Sequence, residues 1–217
     1  MRILDLFCCA GGAGMGYRRA GFEVVGVDLA PQPRYPFAFI QADALSLDMR
    51  FIRSFDAIHA SPPCQHYSPL NALSPEKEYP DLVAPTRALL IDADMPWIIE
   101  NVMSAPLNKA RSVTLCGGMF GLRTYRHRRF ESNVDLQAPP HPPHVIRTAT
   151  KQRKARWAEG WHVSVTGDVG TYVGPAALGI DWMNGDELCQ AIPPAFTEHL
   201  GRQLLAHIQS SRQDQAA

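Results

Sequence analysis

Short apolar runs alternate with helix-compatible segments through the first half of the chain. Residues Arg2–Phe7 predict a strand, the glycine-rich stretch after them predicts a turn, and Met15–Ala20 predict a helix that stops at Gly21. The same reasoning predicts strands over 23–28, 37–40, 55–60 and 97–102, and a helix over 82–93. This alternation is typical of an α/β fold with a mostly parallel sheet and helices on both faces.

Four of the predicted strands end in residues that can carry chemistry. In open parallel sheets, ligands bind outside the carboxyl ends of the strands. We therefore expect these strand-end residues to converge on one rim of the sheet. They are Phe7, Asp28, Ser61–Cys64 and Glu100.

The pattern changes after residue 137, where a proline-rich run opens a segment that is also rich in glycine. We predict that this segment is a small irregular insert in the sheet. A helix over 197–208 then places Leu200, Leu204, Leu205 and Ile208 on one face, which can pack on the core. The predicted organisation is a core over 1–137, an insert over 138–178, the C-terminal part of the core over 179–208 and a tail over 209–217.

Composition narrows the class of protein. The chain has 217 residues, 46% of them hydrophobic, and 21 basic against 21 acidic side chains, which argues against a disordered chain and against a globally basic nucleic-acid coat. No apolar run is long enough for a membrane helix, and Asp5 interrupts the start, so a soluble, cytoplasmic protein is expected. Five cysteines in such a setting predict reduced thiols.

The zero net charge hides a segregation along the chain. Residues 123–156 carry nine basic and two acidic side chains, a balance of +7, whereas the segments before and after them have balances of −2 and −5. An ordinary solvated surface is one explanation. An anionic partner explains the concentration better.

Two strand ends point to specific chemistry. The glycine-rich turn followed by Asp28 suits a nucleoside-containing cofactor, because the backbone can approach the ligand and the acid can accept from ribose hydroxyls. Such turns also occur simply to pack a helix on a strand. The sequence Ser61-Pro62-Pro63-Cys64-Gln65 is more specific, since two prolines stiffen the loop and hold the thiol of Cys64 out at a strand end.

Several short motifs occur in one order along the chain. They are Asp5-Leu6-Phe7 with Gly11-Gly12, Pro63-Cys64-Gln65 with Ser68, Glu100-Asn101-Val102, Arg126 with Arg128, and Gln190-Ala191-Ile192-Pro193-Pro194. This succession resembles the DNA (cytosine-5)-methyltransferase family, through most of residues 1–130 and again over 179–205. The resemblance implies a Rossmann-like methyltransferase fold and a short form with a much reduced target-recognition region.

The resemblance also implies catalytic roles. Cys64 would be the thiolate that adds to C6 of cytosine and activates C5, and Glu100 would share a proton near N3 of the ring. Arg128 would hold the O2 edge with Arg126 supporting it. Gln65 and Ser68 correspond to positions that approach the flipped nucleotide and its phosphate, although a solvated loop is their alternative.

By the same resemblance, S-adenosylmethionine is the methyl donor. The residues implied in its binding are Phe7 on adenine, Gly11 and Gly12 at the amino-acid end, Asp28 on the ribose and Asp43 on the adenine amine.

The chain departs from the family pattern at three positions and in length. Cys9 stands where a glycine is common, Thr124 where a glutamine is usual, and Gln190 where glycine or asparagine is usual. The insert is short for a target reader, but it holds a basic cluster beside two tryptophans, for which we predict nucleic-acid contacts. The cluster comprises Lys151, Arg153, Lys154 and Arg156, and the tryptophans are Trp157 and Trp161.

Other interpretations remain open at this level. An amino-methyltransferase would carry an aromatic residue after the prolines, which Cys64 replaces. A non-catalytic relative, or the same chemistry on RNA or single-stranded DNA, is compatible with the motifs, as is a partner that supplies specificity. His141 and His144, with Cys116 or His127, resemble metal ligands, but no Cys-x-x-Cys accompanies them and the proposed chemistry needs no metal, so no metal site is predicted.

Overall fold

The computed structural model describes residues 1–68, 78–149, 154–166 and 173–216. Its β-strands are β1 (Arg2–Leu6), β2 (Glu23–Asp28), β3 (Ala38–Gln41), β4 (Ala57–Ala60), β5 (Trp97–Asn101), β6 (Ser112–Leu115), β7 (Arg128–Ser132), β8 (Thr148–Ala149) and β9 (His162–Val163). Its α-helices are α1 (Gly12–Ala20), α2 (Met49–Ile52), α3 (Val83–Ala93), α4 (Lys154–Ala158), α5 (Gly174–Leu178), α6 (Gly185–Gln190) and α7 (Pro194–Ala216).

Within the described residues, seven strands form one mixed sheet in the order β3-β2-β1-β4-β5-β7-β6. Strands β1 to β5 pair in parallel, whereas β7 runs antiparallel to both β5 and β6. The carboxyl ends of β1, β2, β4 and β5 therefore lie along one edge, as the sequence predicted. The mixed sheet with helices on its faces confirms the predicted α/β, Rossmann-like fold.

Successive side chains of the central strands point to opposite faces of the sheet and pack into two separate hydrophobic cores. Ile3 packs with α1 and α7 on one face of the sheet, whereas its neighbour Leu4 packs with α3 on the other. Helices α1 and α7 approach closely because Gly16 has no side chain: a Cβ there would lie 2.0 Å from Oγ1 of Thr197. Both faces of the sheet are thus covered, which explains the apolar strands.

Helix α3 begins two residues before Pro85, so the proline occupies the first turn, where a backbone N–H has no partner within the helix anyway. The predicted helix over 82–93 is therefore confirmed despite the proline. No helix among the described residues is both long and apolar enough to span a bilayer.

The prediction of a tail over 209–217 was wrong for most of that segment, because α7 continues to Ala216. Ile208 is buried, and one turn later Arg212 forms an ion pair with Asp56, which anchors the helix to the loop before β4. Strands β6 and β7 are a second difference from the elements predicted from sequence. Their sequences, Ser-Val-Thr-Leu and Arg-Arg-Phe-Glu-Ser, lack an apolar run. Strand β7 joins the sheet by pairing with β5, and β6 joins it by pairing with β7.

The segment predicted as an insert over 138–178 contains β8, β9, α4 and α5 among its described residues. Strands β8 and β9 pair in parallel as a separate two-stranded sheet. Its boundaries as a separate unit stay a prediction.

Candidate active site

The loop that carries Cys64 is held by the two strands beside it. The backbone N–H of Ser61 donates to the carbonyl of Leu6 at 3.1 Å, and the side-chain amide of Asn101 donates to the carbonyl of Pro62 at 2.8 Å. Pro62 and Pro63 have no N–H to donate within the loop, so these hydrogen bonds to and from the neighbouring strands hold it in place. Cys64 follows directly and begins a short 3-10 turn, where its side chain is half-buried.

Glu100 and Arg128 form an ion pair beside this loop. Glu100 is the penultimate residue of β5 and is 5% exposed, and Arg128 is the first residue of β7. The Arg128 Nε lies 3.0 Å from Oε1 of Glu100, but the contact lacks the alignment of a hydrogen bond. Oε1 thus keeps an unused lone pair in a buried place, which a ligand can fill.

Burial dominates the electrostatics of Glu100 and Cys64. It raises the pKa of Glu100 to about 7, against the opposing charges of Arg128 and Arg126. It also raises the pKa of the Cys64 thiol, while Arg128 lowers it and Glu100 raises it. A carboxyl with a pKa near neutrality can both hold and release a proton, which general acid–base work requires.

The side chain of Arg126 hydrogen-bonds to the backbone of two distant segments. Its guanidinium donates to the carbonyls of Val165 and Cys189, both at 2.6 Å. Burial, followed by the charge of Arg128, lowers its pKa to about 9. Arg126 therefore joins the insert to the C-terminal part of the chain and contributes positive charge behind Arg128.

Two cavities meet at Cys64. One has a volume of about 450 Å³ and is lined by Cys64, Arg126 and Arg128, among others. The second has a volume of about 480 Å³ and is lined by the carboxyl ends of β1, β2, β4 and β5. Residues on the wall of both are Cys64, Gln65, Arg128 and Gln190. The thiol is thus accessible from both sides.

The predicted cofactor residues sort into two groups. Phe7, Gly12, Asp28 and Asp43 line the cavity of about 480 Å³. Gly11 does not line it, because it faces Tyr35 and Pro36 on the other side of the turn.

Asp28 orders the turn that borders this cavity. Its two carboxylate oxygens accept from the backbone N–H groups of Cys9 and Ala30, at 2.9 and 3.0 Å. Cys9, which replaces a common glycine of the family, has a φ of 44°, in the left-handed region that glycine prefers. The turn thus adopts a glycine-like conformation at this cysteine, and Phe7 is likewise strained, with a φ of 56°.

Gly12 brings the first and last motifs together. A Cβ at this position would lie 2.5 Å from the carbonyl oxygen of Ile192, so only glycine fits. The segment over 190–194 is therefore part of the site, and its first residue, Gln190, lies between the two cavities.

The structure describes four of the six residues predicted to contact nucleic acid, and the contacts themselves stay a prediction. Gln65 and Ser68 line the cavity of about 450 Å³. Lys154 is exposed on α4, and Arg156 is half-buried, pairs with Glu159 at 2.9 Å and lies over the ring of Trp161. Lys151 and Arg153 lie outside the described residues.

The tryptophans of the insert contact cations from the same chain. The Arg123 guanidinium lies 3.6 Å from the ring centre of Trp157 and donates to the carbonyl of Trp161. The Trp161 ring contacts Arg147 and Arg156. These rings hold the insert together in the structure described here, and a stacking role toward bases stays a prediction.

Sequence reasoning missed two contributors. Asn101 belongs to a motif that was recognised, but its role in fixing the Pro62 carbonyl needed the geometry of β5. Leu29 is 72% exposed and lines the wall of the cavity of about 480 Å³. Its position next to the strand-end acid Asp28 was the available signal, since a large exposed apolar side chain at a cavity is typical of a ligand contact.

The site, with its cysteine and glutamate at neighbouring strand ends, can be compared with known families. Residues 1–102 match the C-5 cytosine-specific DNA methylases. The match contains β1 to β5, Cys64 and Glu100, and it confirms the resemblance predicted from the motifs. It supports a methyltransferase with S-adenosylmethionine as the methyl donor.

Two solved structures share the fold over almost their whole length. An E. coli structure, described as a DNA modification methyltransferase encoded within a prophage, has a TM-score of 0.66 at 15% identity and covers 97% of this chain and 99% of its own. The Entamoeba histolytica methyltransferase EhMeth has a TM-score of 0.60 at 11% identity, with coverages of 96% and 98%. No curated protein matches the chain in sequence.

Proposed function

We propose that the protein methylates C5 of cytosine in DNA through a covalent bond between Cys64 and C6 of the ring. The observation that carries this proposal is the position of the Cys64 thiol where two cavities meet. A base in the cavity of about 450 Å³ and a methyl donor in the cavity of about 480 Å³ would both reach it. Such an arrangement serves group transfer between two bound molecules.

C5 of cytosine is a poor nucleophile until Cys64 adds to C6. Its sulfur bonds to C6 as the thiol proton leaves to solvent. The pair of the C5–C6 double bond shifts to C4–C5, and the C4–N3 pair moves onto N3, which takes a proton from Glu100. The methyl group then joins C5, and S-adenosylhomocysteine is left. Return of the N3 proton to Glu100, loss of the C5 proton to solvent and cleavage of the S–C6 bond restore the aromatic ring and release Cys64 as a thiolate. Arg128 favours the thiolate form, because its charge lowers the pKa of Cys64 against burial.

Glu100 handles the proton at N3. When sulfur adds to C6, negative charge develops at N3 and O2, and a protonated Glu100 can donate to N3. A pKa of about 7 means that a large fraction of Glu100 holds this proton at neutral pH. Arg128, whose Nε is 3.0 Å from Glu100, orients the carboxyl and can donate to O2 of the base.

The residues present fit S-adenosylmethionine, which supplies the transferred methyl group. The cavity of about 480 Å³ has the size of a small-molecule site, with an acid at the end of β2 and the ring of Phe7 on its wall. Asp28 uses each oxygen once toward the backbone, which leaves one lone pair on each for ribose hydroxyls.

DNA is the proposed substrate because cations concentrate over residues 123–156, a segment that includes Arg126 and Arg128 on the wall of the base cavity. Nine of the 34 side chains over 123–156 are basic, and Arg147 and Lys154 are exposed among the described ones. Cations bind phosphates of any sequence, so base selectivity has to come from other contacts.

The test is nucleoside mass spectrometry of cells that express the protein or its Cys64→Ser variant. Modified cytosine should accumulate in the DNA fraction with the native sequence only. Accumulation in the RNA fraction would replace DNA by RNA as substrate. Its absence from both fractions, with folded protein present, would refute the proposal.

A further inference from the structure

Four side chains with metal-binding atoms converge beside the active site. They are Cys116, His127, His141 and His144, and one ligand atom from each lies within 4.8 Å of all the others. Cys116 is buried, His127 is half-buried, and His141 and His144 are exposed. No step of the proposed methyl transfer uses any of them.

The sheet register brings the first two together. Strands β6 and β7 pair antiparallel with Leu115 opposite Arg128, so continuing the ladder by one step places Cys116 opposite His127. Residues directly opposite in such a ladder have Cβ atoms about 4.5–5.5 Å apart, which lets two side chains share one ligand. The pair is therefore a consequence of the same strand pairing that positions Arg128.

The proline-rich loop after β7 supplies the other two. Pro142 and Pro143 separate His141 from His144 and restrict the backbone between them. The loop is fixed against Tyr125, whose ring stacks on His144 with centroids 3.8 Å apart and whose Oη accepts from the N–H of Ile146 at 2.9 Å.

The spacing of the atoms suits a tetrahedral ion. Sγ of Cys116 lies 3.3 Å from Nε2 of His144, and Nε2 of His127 lies 3.3 Å from Nε2 of His141. Ligands around tetrahedral zinc, with Zn–N near 2.0–2.1 Å and Zn–S near 2.3 Å, are about 3.3–3.6 Å apart. Hydrogen bonds could explain each pair alone, but the convergence of all four atoms is typical of a metal site.

Backbone donors surround the sulfur of Cys116. Backbone N–H groups of Gly118 and Met119 hydrogen-bond the sulfur of Cys116, and such outer contacts orient and stabilise metal-bound thiolates. One sulfur and three imidazole nitrogens form a donor set that favours Zn²⁺ over hard cations such as Mg²⁺ or Ca²⁺.

We propose that Cys116, His127, His141 and His144 bind one structural zinc ion. With four protein ligands the site is closed and has no position for a reacting water. The ion would join the loop that enters the insert to the β6–β7 edge of the sheet. His127 lies between Arg126 and Arg128, and its carbonyl accepts from Nη1 of Arg128 at 2.8 Å, so the ion would also steady the arginine of the active site. This proposal replaces the sequence-based expectation of no metal, because four ligands that lack Cys-x-x-Cys spacing are assembled here by the fold.

The test is the metal content of untagged protein produced in zinc-supplied medium and purified without chelators. We expect one zinc per chain by plasma mass spectrometry. X-ray absorption should show one sulfur at about 2.3 Å and three nitrogens at about 2.0–2.1 Å. Replacing zinc by cobalt should give the visible bands of a tetrahedral site together with a thiolate charge-transfer band.

Matched variants locate the site. His144→Ala and His207→Ala each remove an exposed histidine, so both should fold, which circular dichroism checks. Zinc affinity should fall by about 100-fold or more in His144→Ala and stay unchanged in His207→Ala. Cys116→Ser should abolish the charge-transfer band, whereas Cys64→Ser should keep it.

Protein with far less than one zinc per chain, or with full zinc affinity in His144→Ala, would overturn the proposal. A charge-transfer band that disappears in Cys64→Ser would also overturn it, because the metal would then sit on the proposed catalytic thiol. None of these readouts requires methyl transfer, so the zinc site and the proposed function fail independently.

Discussion

The parallel strands β1 to β5 and the antiparallel pair β6–β7 meet at the same site but contribute to it in different ways. The parallel strands deliver Asp28, Cys64 and Glu100 at their carboxyl ends, where the chain leaves the sheet and side chains are free to meet a ligand. The antiparallel pair delivers Arg126 and Arg128 at its edge, and Arg126 is bound to two carbonyls of distant segments.

The proposed function assigns the chemistry to the strand-end residues Cys64 and Glu100, whereas Arg126 holds other segments in place. A strand-end acid such as Glu100 can be replaced by its amide, which keeps the shape of the side chain and one acceptor oxygen. A buried arginine that donates to the backbone cannot be replaced in this way, because its loss leaves carbonyls without partners. We therefore expect substitutions of Glu100 or Asp28 to lower activity or affinity and loss of Arg126 to lower stability.

Glu100→Gln gives the largest expected effect. The amide keeps the shape of the side chain but cannot exchange the proton, so turnover should fall by about 100-fold or more. Steady-state kinetics measures this. Glu131→Gln is the control, since Glu131 pairs with Arg87 at 2.8 Å and lies in neither cavity that meets at Cys64. Equal losses of turnover in both variants would contradict this assignment.

Because Glu100 titrates near neutral pH, its replacement by Gln should change how the free energy of unfolding depends on pH. Since burial raises the pKa of Glu100 from 4.5 to about 7, the native state favours the protonated acid, and the stability that this provides is lost as pH rises through 7. Urea unfolding measured between about pH 4.5 and pH 7 should show that the native sequence loses stability relative to Glu100→Gln as the pH rises. A difference between the two that does not vary with pH would show that Glu100 titrates normally.

Arg126→Met should lower the free energy of unfolding by about 2 kcal/mol, because two buried carbonyls lose a charged donor. Arg53→Met is the matched control, since Arg53 also donates to two carbonyls but is exposed. Its loss should cost less than about 0.5 kcal/mol. If Arg126→Met is as stable as the native protein and merely inactive, Arg126 belongs with the reacting groups.

Asp28→Ala should weaken S-adenosylmethionine binding by about 1–2 kcal/mol, because ribose hydroxyls and the N–H of Cys9 lose an acceptor. Isothermal titration calorimetry measures the affinity. Asp48→Ala removes an acid that caps α2 away from the cavity and should leave the affinity unchanged. Unchanged affinity in Asp28→Ala would place the cofactor elsewhere.

The basic cluster should affect the binding of every DNA sequence alike, because cations contact phosphates and not bases. Changing Lys151, Arg153, Lys154 and Arg156 together to Ala should flatten the log–log salt dependence of DNA binding by up to about 3 to 4. Arg18→Ala with Arg19→Ala is the control, because these exposed residues end α1 at the opposite edge of the sheet. An unchanged slope in the quadruple variant would move the DNA contacts away from the insert.

The parallel half of the fold was predictable because its signals are local. Each strand is a short, mostly apolar run, and the parallel topology then places Cys64 and Glu100 on one edge. Residues 209–216 differed because the anchor of α7, the ion pair between Arg212 and Asp56, joins positions far apart in the chain.

The antiparallel edge depends on contacts that no short window contains. Arg128–Ser132 becomes a strand because β5 offers it a partner, and the convergence of Cys116 with His127 follows from that pairing. The motifs drew attention to Arg126 and Arg128, but they could not reveal that Arg126 donates to carbonyls and that Arg128 pairs with Glu100.

The covalent bond to Cys64 is the central claim, and trapping it is the most direct test. DNA that contains 5-fluorocytosine cannot lose the group at C5 after methyl transfer, so the S–C6 bond should persist. With S-adenosylmethionine present, the account predicts a stable protein–DNA adduct, peptide mapping that places it on Cys64, and no adduct in Cys64→Ser. An adduct that persists in Cys64→Ser, or that maps to another cysteine, would contradict it.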